Sequence, residues 1–445
     1  MDLAEFGAVQ LARMIRAGEI TSLEVAEACL ARIEAREPDI GAWTHLNPEL
    51  VRKQAEHRDA LRASGAPIGP LHGIPVGIKD IFDTREFPTE NGTPLDAGRQ
   101  PQADCTVVSL LKAAGAVIMG KTVSTELAVY SPGKTRNPHD LSRTPGGSSS
   151  GSAAAVAAGM VPLAVGSQTN GSVIRPASFC GVVGFKPTHG RISRAGALVL
   201  SRTLDHVGVF ARSLDDVALI SECLMVHDAA DPDSVPAAAA RMSEIMGQEP
   251  PAAPRFAFVR SPVWDQADDD CRAAFEELSE VLSDHCDDVE LPPDFDNAIG
   301  NLENIMHADL ARYLERYTSR GEDGISDVLR GMIEDGRQVL AVDYNRSVDQ
   351  ISPLRTWVKN LCLEYDAILT PATCGEAPIG LEATGSPVFC TTWSYLGVPA
   401  VTLPLMQGSN GMPIGVQLVG PPGDDARLFR SAKWLAREVE NIAES

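Results

Sequence analysis

The sequence predicts an α/β fold: a mixed β-sheet covered by helices on both sides. Three observations predict it. Short β-rich runs alternate with helical stretches from Gly73 to about Phe210, the pattern of a sheet with helices packed on it. Strand-like text returns near the C-terminus, after a long helical stretch. Hydrophobic residues make up 44% of the 445 positions, enough for a sizeable core. The chain is read as one domain, 1–445, in four parts. These are an N-terminal helical layer over 1–65, a core over 70–215, a variable helical cap or insertion over 225–345, and C-terminal strands with a helix over 360–445.

The first 62 residues read as helices. Thr21-Ser22-Leu23-Glu24 is a capping box, in which a hydroxyl and a glutamate three residues on satisfy free N–H groups. Leu23, Ala26, Cys29, Leu30 and Ile33 follow at helical spacing, and Pro38 is expected to end that helix. Strands are expected at 74–78 and 116–119, with a helix over 107–114 between them. The 225–345 stretch is acidic and alanine-rich, broken at Glu249-Pro250-Pro251 and Pro292-Pro293. Further strands are expected at 367–371, 401–405 and 414–419. The last two flank Gln407-Gly408-Ser409-Asn410-Gly411, a hairpin turn. A final helix is expected over 424–440. No internal repeat is apparent.

Composition narrows the partners. The net charge is −22, from 38 basic and 60 acidic residues. Such a surface repels phosphate backbones and anionic lipid, so neither nucleic acid nor membrane is expected as a partner. No apolar run approaches the ~20 residues of a membrane helix. The acidic start Met1-Asp2-Leu3-Ala4-Glu5 lacks the pattern of a secretory signal, and a cytoplasmic location is expected. Nine cysteines are scattered without a C-x-x-C. They read as reduced thiols rather than a disulfide scaffold or a zinc site. No H-E-x-x-H occurs, and no metal or other cofactor is expected.

Three features of the core carry chemistry. In Gly73-Ile74-Pro75-Val76-Gly77-Ile78-Lys79-Asp80, a lysine ends an apolar run. It is either a snorkelling surface lysine or a buried one. Desolvation would make a buried one neutral and able to accept a proton. In Pro145-Gly146-Gly147-Ser148-Ser149-Ser150-Gly151-Ser152, a Gly/Ser loop leads straight into an alanine-rich run, unlike a flexible linker. The lysine of a phosphate-binding P-loop is missing. In Gly166-Ser167-Gln168-Thr169-Asn170-Gly171-Ser172-Val173-Ile174-Arg175-Pro176, a tight turn follows a strand, a place where a nucleophile can be held exposed.

Together with Phe179-Cys180-Gly181-Val182-Val183-Gly184-Phe185-Lys186-Pro187-Thr188, these motifs resemble the amidase signature. The resemblance is strong over about 70–215 and weaker over the N-terminal helices and the C-terminal strands, where Gly397-Val398-Pro399-Ala400 and Pro413-Ile414-Gly415-Val416-Gln417 are similar to the family. It implies the amidase-signature fold and a serine hydrolase without cofactor. It assigns Lys79 as general base, Ser148 as proton relay on a cis peptide bond, and Ser172 as nucleophile. It implies an oxyanion hole from the backbone N–H groups of Thr169, Asn170, Gly171 and Ser172. It places Glu126, Leu127, Tyr130, Gln168 and Arg175 about the substrate, with Thr391, Thr392 and Trp393 reaching in from the C-terminal part. Arg175 either ties the turn to a carboxylate such as Asp205 or binds an acidic substrate, as in malonamidase-type members with the same Ser-Val-Ile-Arg-Pro run. Asn170 departs from the usual pair of glycines before the nucleophile. Asparagine tolerates positive φ, and its side chain either contacts substrate or has no catalytic role.

The leading expectation is a stand-alone amidohydrolase for amides or carbamates, urethanase-like members included. Its partner would be that small-molecule substrate, with a homodimer left open. The alternative is the glutaminase subunit of a tRNA-dependent amidotransferase. An inert binding protein on the same fold is the third reading.

Overall fold

Apolar residues alternate by face along the central strands. This computed structural model, which describes residues 2–320 and 324–443, shows what each face meets. In Leu163-Ala164-Val165, leucine and valine join one hydrophobic cluster and alanine the other. Val117-Ile118-Met119 divides the same way. Side chains of successive strand residues point to opposite faces, so a strand apolar on both must be covered on both. Helices Ser22–Ile40, Pro48–Ala63 and Ser150–Ala157 contribute to one cluster, and helices Ala8–Ala17, Thr106–Ala113 and Leu214–Leu224 to the other. The result is the expected mixed sheet between helical layers.

Among the described residues the sheet has eleven strands. In chain order they are β1 (Trp43–Leu46), β2 (Pro75–Lys79), β3 (Val117–Thr122), β4 (Leu163–Gln168), β5 (Val183–Lys186), β6 (His206–Ala211), β7 (Phe256–Phe258), β8 (Cys286–Asp288), β9 (Ala367–Pro371), β10 (Ala400–Gln407) and β11 (Pro413–Val419). Their spatial order is β1-β3-β2-β4-β6-β5-β10-β11-β9-β7-β8. The β3-β2-β4 and β9-β7-β8 neighbours are parallel, and the remaining pairs antiparallel. The hairpin expected around 407–411 joins β10 to β11. The final helix spans Asp425–Ala443.

Two expectations need correction. The helix from Ser22 does not stop at Pro38 but runs through it to Ile40. It ends at Gly41, which takes the left-handed conformation (φ 66°). The 225–345 stretch is not purely helical. It supplies β7 and β8, which extend one edge of the sheet. Each is only three residues long, too short to show a period against the helical text around it.

The Gly/Ser loop opens into the helix Ser150–Ala157, whose first seven residues are buried. Small residues let this helix lie directly on the sheet. A Cβ on Gly151 would stand 2.2 Å from Ala42 O and 2.3 Å from Val123 N, so only glycine fits there.

Candidate active site

Parallel pairing brings the first and third motifs together. Ile78 on β2 lies beside Val165 on β4, so Lys79 and the Gly166-Ser167-Gln168 end of β4 leave the sheet side by side. The carboxyl ends of parallel strands are where such folds place ligands. Lys79 is fully buried. Its Nζ donates to Ser148 Oγ at 2.7 Å and to Ser167 Oγ at 2.8 Å. Burial pushes its pKa well below the ordinary lysine value, with Asp205 acting in the opposite direction. Of the two readings left open by the sequence, burial rules out snorkelling.

Ser148 follows a cis peptide bond from Gly147, as the resemblance implied. The neighbouring serines build the loop. Ser149 Oγ donates to Ser167 O at 3.1 Å and accepts from Ser167 N at 3.2 Å. Ser150 Oγ donates to Gly146 O at 2.7 Å, and Ser152 Oγ to Val165 O at 2.9 Å. Ser167 was not singled out from the sequence. The only signal was its place on the strand beside Lys79.

The turn at 169–172 is held from below by Gln168. Its Oε1 accepts from Val173 N (2.7 Å) and Ile174 N (2.9 Å), and its Nε2 donates to Ser394 Oγ (2.8 Å). The expected substrate-binding role of Gln168 is corrected: its amide is occupied as a strut. The N–H groups of Thr169, Asn170, Gly171 and Ser172 have no acceptor among the described residues. Four N–H groups on one turn are thus left available to a bound acceptor. Neither Asn170 nor Gly171 takes positive φ, so conformational tolerance does not explain the asparagine. Gly171 is required by space instead, because a Cβ there would stand 2.8 Å from Pro387 Cβ. The Ser172 hydroxyl has no hydrogen bond to a described residue, Ser148 included, and Ser172 is 8% exposed.

Arg175 fits neither sequence alternative. It is fully buried, and its guanidinium donates to Gly147 O (2.6 Å), Gly385 O (2.7 Å) and Thr384 Oγ1 (3.2 Å). It braces the loop carrying Ser148. Asp205 instead accepts from Thr169 Oγ1 at 2.7 Å and from the N–H groups of Leu200 and Ser201.

Other expected pocket residues separate. Glu126 turns its carboxylate to Ser326, which caps the helix Asp327–Gln338. Leu127 is fully buried, with its backbone strained at φ 46°. Both side chains are thus engaged within the fold. Tyr130 does lie at the turn, its hydroxyl accepting from Asn170 Nδ2 at 3.0 Å. Thr391 Oγ1 donates to Asn170 Oδ1 at 2.8 Å, while Trp393 is buried in the core. A cavity of about 250 Å³ adjoins Ser167 and Thr169, with Ala128, Phe82, Asp205 and Tyr313 also in its walls.

No described histidine hydrogen-bonds to Lys79, Ser148 or Ser172. His206, the one bonded to the turn's strand, is buried and donates from Nδ1 to Leu204 O at 2.6 Å. Burial and neighbouring cations hold its pKa well below the usual value. His45, Asp80 and Glu90 bring three ligand atoms within 4.8 Å of one another. Lys121 Nζ already lies 3.2 Å from Asp80 Oδ1 and balances that carboxylate. All nine cysteines are free thiols. Among the described residues no helix is long and apolar enough to cross a membrane.

The family described as Amidase matches over residues 24–429. A glutamyl-tRNA(Gln) amidotransferase subunit of Chloroflexus aggregans is 36% identical, over 94% of this chain and 93% of that protein. The 6-aminohexanoate cyclic dimer hydrolase superposes with a TM-score of 0.88 at 28% identity, covering 100% of this chain and 98% of the other. The peptide amidase of Stenotrophomonas maltophilia superposes at 0.83 and 28% identity, covering 98% and 97%. A buried lysine bonded to a serine loop, a turn with four unmatched N–H groups, and likeness along nearly the whole chain lead to one conclusion: the chain belongs to the amidase family of C–N hydrolases.

Proposed function

We propose that the chain cleaves a carboxamide through an acyl-enzyme on Ser172, with neutral Lys79 as general base and Ser148 as the relay between them. The observation that carries this reading is the buried Lys79 amine 2.7 Å from Ser148 Oγ. An uncharged amine accepts a proton, and a serine becomes an effective nucleophile only when its proton is removed. Ser148 gives its proton to Lys79 as it takes one from Ser172, and Ser172 Oγ attacks the carbonyl carbon. The resulting oxyanion enters the N–H cradle of 169–172. The proton returns by the same route to the leaving nitrogen, the C–N bond breaks, and water hydrolyses the ester. The Ser148–Ser172 hydrogen bond must form as substrate binds; such bonds often tighten only in the complex.

For the physiological role, the glutaminase component of a tRNA-dependent amidotransferase is the reading favoured. This reverses the order expected from sequence. A relative that is one component of such an enzyme matches 94% of this chain at 36% identity, which outweighs the lack of a partner signal in the sequence. A stand-alone amidase is the second reading, supported by the two superposing hydrolases. Carbamates fit the same machinery, since they also offer a carbonyl next to nitrogen.

The test is glutamine hydrolysis by the chain alone and together with whatever protein co-purifies, beside a panel of small amides and carbamates, with Ser172→Ala as control. Glutamine turnover that depends on a second protein supports the amidotransferase. Faster turnover of another amide or a carbamate by the chain alone supports the stand-alone enzyme. Turnover retained in Ser172→Ala removes the nucleophile assignment.

A further inference from the structure

Asp205 spends its carboxylate on hydrogen bonds rather than on an ion pair. The β4–β6 ladder ends with Gln168 opposite His206. The next rung sets Thr169 opposite Asp205, on the face that carries Ser167 and Val207. All four of these residues line the cavity of about 250 Å³. Two bonds stand along that face. Ser167 Oγ accepts from Lys79 Nζ at 2.8 Å, and Thr169 Oγ1 donates to Asp205 Oδ1 at 2.7 Å. The other oxygen of Asp205 accepts from Leu200 N at 2.8 Å and Ser201 N at 3.0 Å. The carboxylate therefore fastens the first residue of the N–H turn to the segment that enters β6. Asp205 is also the charge that acts on Lys79 through space, favouring its protonated form. The other charges of the cavity wall are paired among themselves: Arg194 with Asp231 at 2.9 Å and Asp233 at 2.6 Å, and Arg202 with Asp233 at 2.8 Å. His206 spends its Nδ1–H on Leu204 O, and Tyr313 closes the wall from the helix Ala298–Tyr313. Burial raises the pKa of Asp205 itself, while its three hydrogen bonds and Arg194 favour the carboxylate.

We infer that Asp205 is a positioning residue of this site: its carboxylate fixes the Thr169 end of the turn and supplies the negative charge that Lys79 works against. This rests on Lys79 being the base and Ser172 the nucleophile. The tether acts on the rate once the amine is neutral, because Thr169 N–H is one of the four unmatched donors. The charge acts on the pH at which the amine becomes neutral. A negative group nearby holds the proton on Lys79, so removing that charge frees the amine at lower pH. The two effects are separable. Asparagine at 205 keeps the shape and the hydrogen bonds without the charge. Its oxygen accepts from Leu200 and Ser201, and its NH2 donates to Thr169 Oγ1, a hydroxyl that accepts as well as donates. Valine at 169 does the reverse, removing the tether and leaving the charge.

The experiment measures the second-order rate at which an ethyl fluorophosphonate labels Ser172 as a function of pH, read by intact mass. In Asp205→Asn the acid limb of that profile moves to lower pH by about one unit. In Thr169→Val the limb stays in place and the plateau falls by up to about tenfold, the worth of one hydrogen bond. A limb that does not move in an Asp205→Asn chain that still labels overturns the inference while leaving Ser172 as nucleophile, because a mere brace would carry no charge effect. If Asp205→Asn misfolds, Thr169→Val decides, and a wild-type plateau in that variant overturns the inference. A wild-type chain that the probe does not label overturns the nucleophile assignment, and this inference with it.

Discussion

Lys79 Nζ lies 2.7 Å from Ser148 Oγ and 2.8 Å from Ser167 Oγ, and no carboxylate of the described residues touches it. Two neutral hydroxyls do little to hold a positive charge, and burial opposes it. The deprotonated amine is the proposed active form, so activity should be lost as pH falls through the depressed pKa. kcat/KM is therefore expected to rise with pH and level off well below the ordinary lysine value of 10.5. A profile that keeps climbing to about pH 10, near the pKa of an unperturbed lysine, would show that the amine is not tuned.

The same burial has a thermodynamic consequence. In the unfolded chain Lys79 keeps its proton up to about pH 10.4, whereas in the folded chain it gives the proton up sooner. The unfolded state then binds more protons across that window, and stability rises with pH. Lys186, buried and lowered to about 7, has the same sign from pH 7 upward. Buried thiols such as Cys29, raised to about 12, reverse the trend above about pH 8.5. Urea denaturation between pH 7 and 8.5 should show stability rising in wild type, and rising less in Lys79→Met.

The two serines on Lys79 are expected to behave differently. Ser148→Ala breaks the proposed relay and should reduce kcat by roughly 10²–10⁴, the range for general acid–base steps. Ser167→Ala removes only an acceptor of the ammonium's hydrogen bond. That makes the charged form less favourable, so the acid limb of the pH profile should move to lower pH, with activity still measurable. Equal loss in both variants would argue against Ser148 as the sole relay.

Much of this was legible before the fold was seen, for physical reasons particular to each residue. The Ile74–Ile78 run announces a buried strand, and a lysine ending it must either reach water or lose its charge. The Gly/Ser loop announces itself because small residues are needed where a helix touches the sheet, as Gly151 shows against Ala42. What stayed hidden depends on side-chain direction. Nothing in the spacing says that Gln168 turns inward to hold two N–H groups, or that Glu126 reaches Ser326, 200 residues away. Ser167 was invisible because its role comes from the pairing of β2 with β4. Arg175 misled because a motif gives a position in the chain and leaves open which way a long side chain points.

Arg175 supplies a sharper test of that point. Its guanidinium is sealed and satisfies two carbonyls and a hydroxyl, one of the carbonyls being that of Gly147. Arg175→Met leaves those acceptors unpaired, and should cost roughly 2–4 kcal/mol of stability and lower kcat by loosening the Ser148 loop. The preference between anionic and neutral amides should not change. Chemical denaturation and paired kcat/KM values on a charged and an uncharged amide read both effects. A selective loss on the anionic substrate would restore the pocket-facing role.

Gly171 tests the cradle with a single methyl. Its φ is not positive, so alanine is tolerated by the backbone itself, and the cost comes from Pro387, whose Cβ would stand 2.8 Å from the added carbon. Backbone on one side and a proline ring on the other give little room to yield, so the turn must shift. Moving it displaces the N–H groups proposed to hold the oxyanion, and losing one such donor typically costs about 3 kcal/mol of barrier. Gly171→Ala should therefore lose roughly 10²-fold in kcat with a small change in KM, because the misplaced donors matter most when the oxygen carries charge. Steady-state kinetics on one amide reads the split. A rise in KM with kcat intact would mean that the turn contacts the ground state and does not hold the oxyanion.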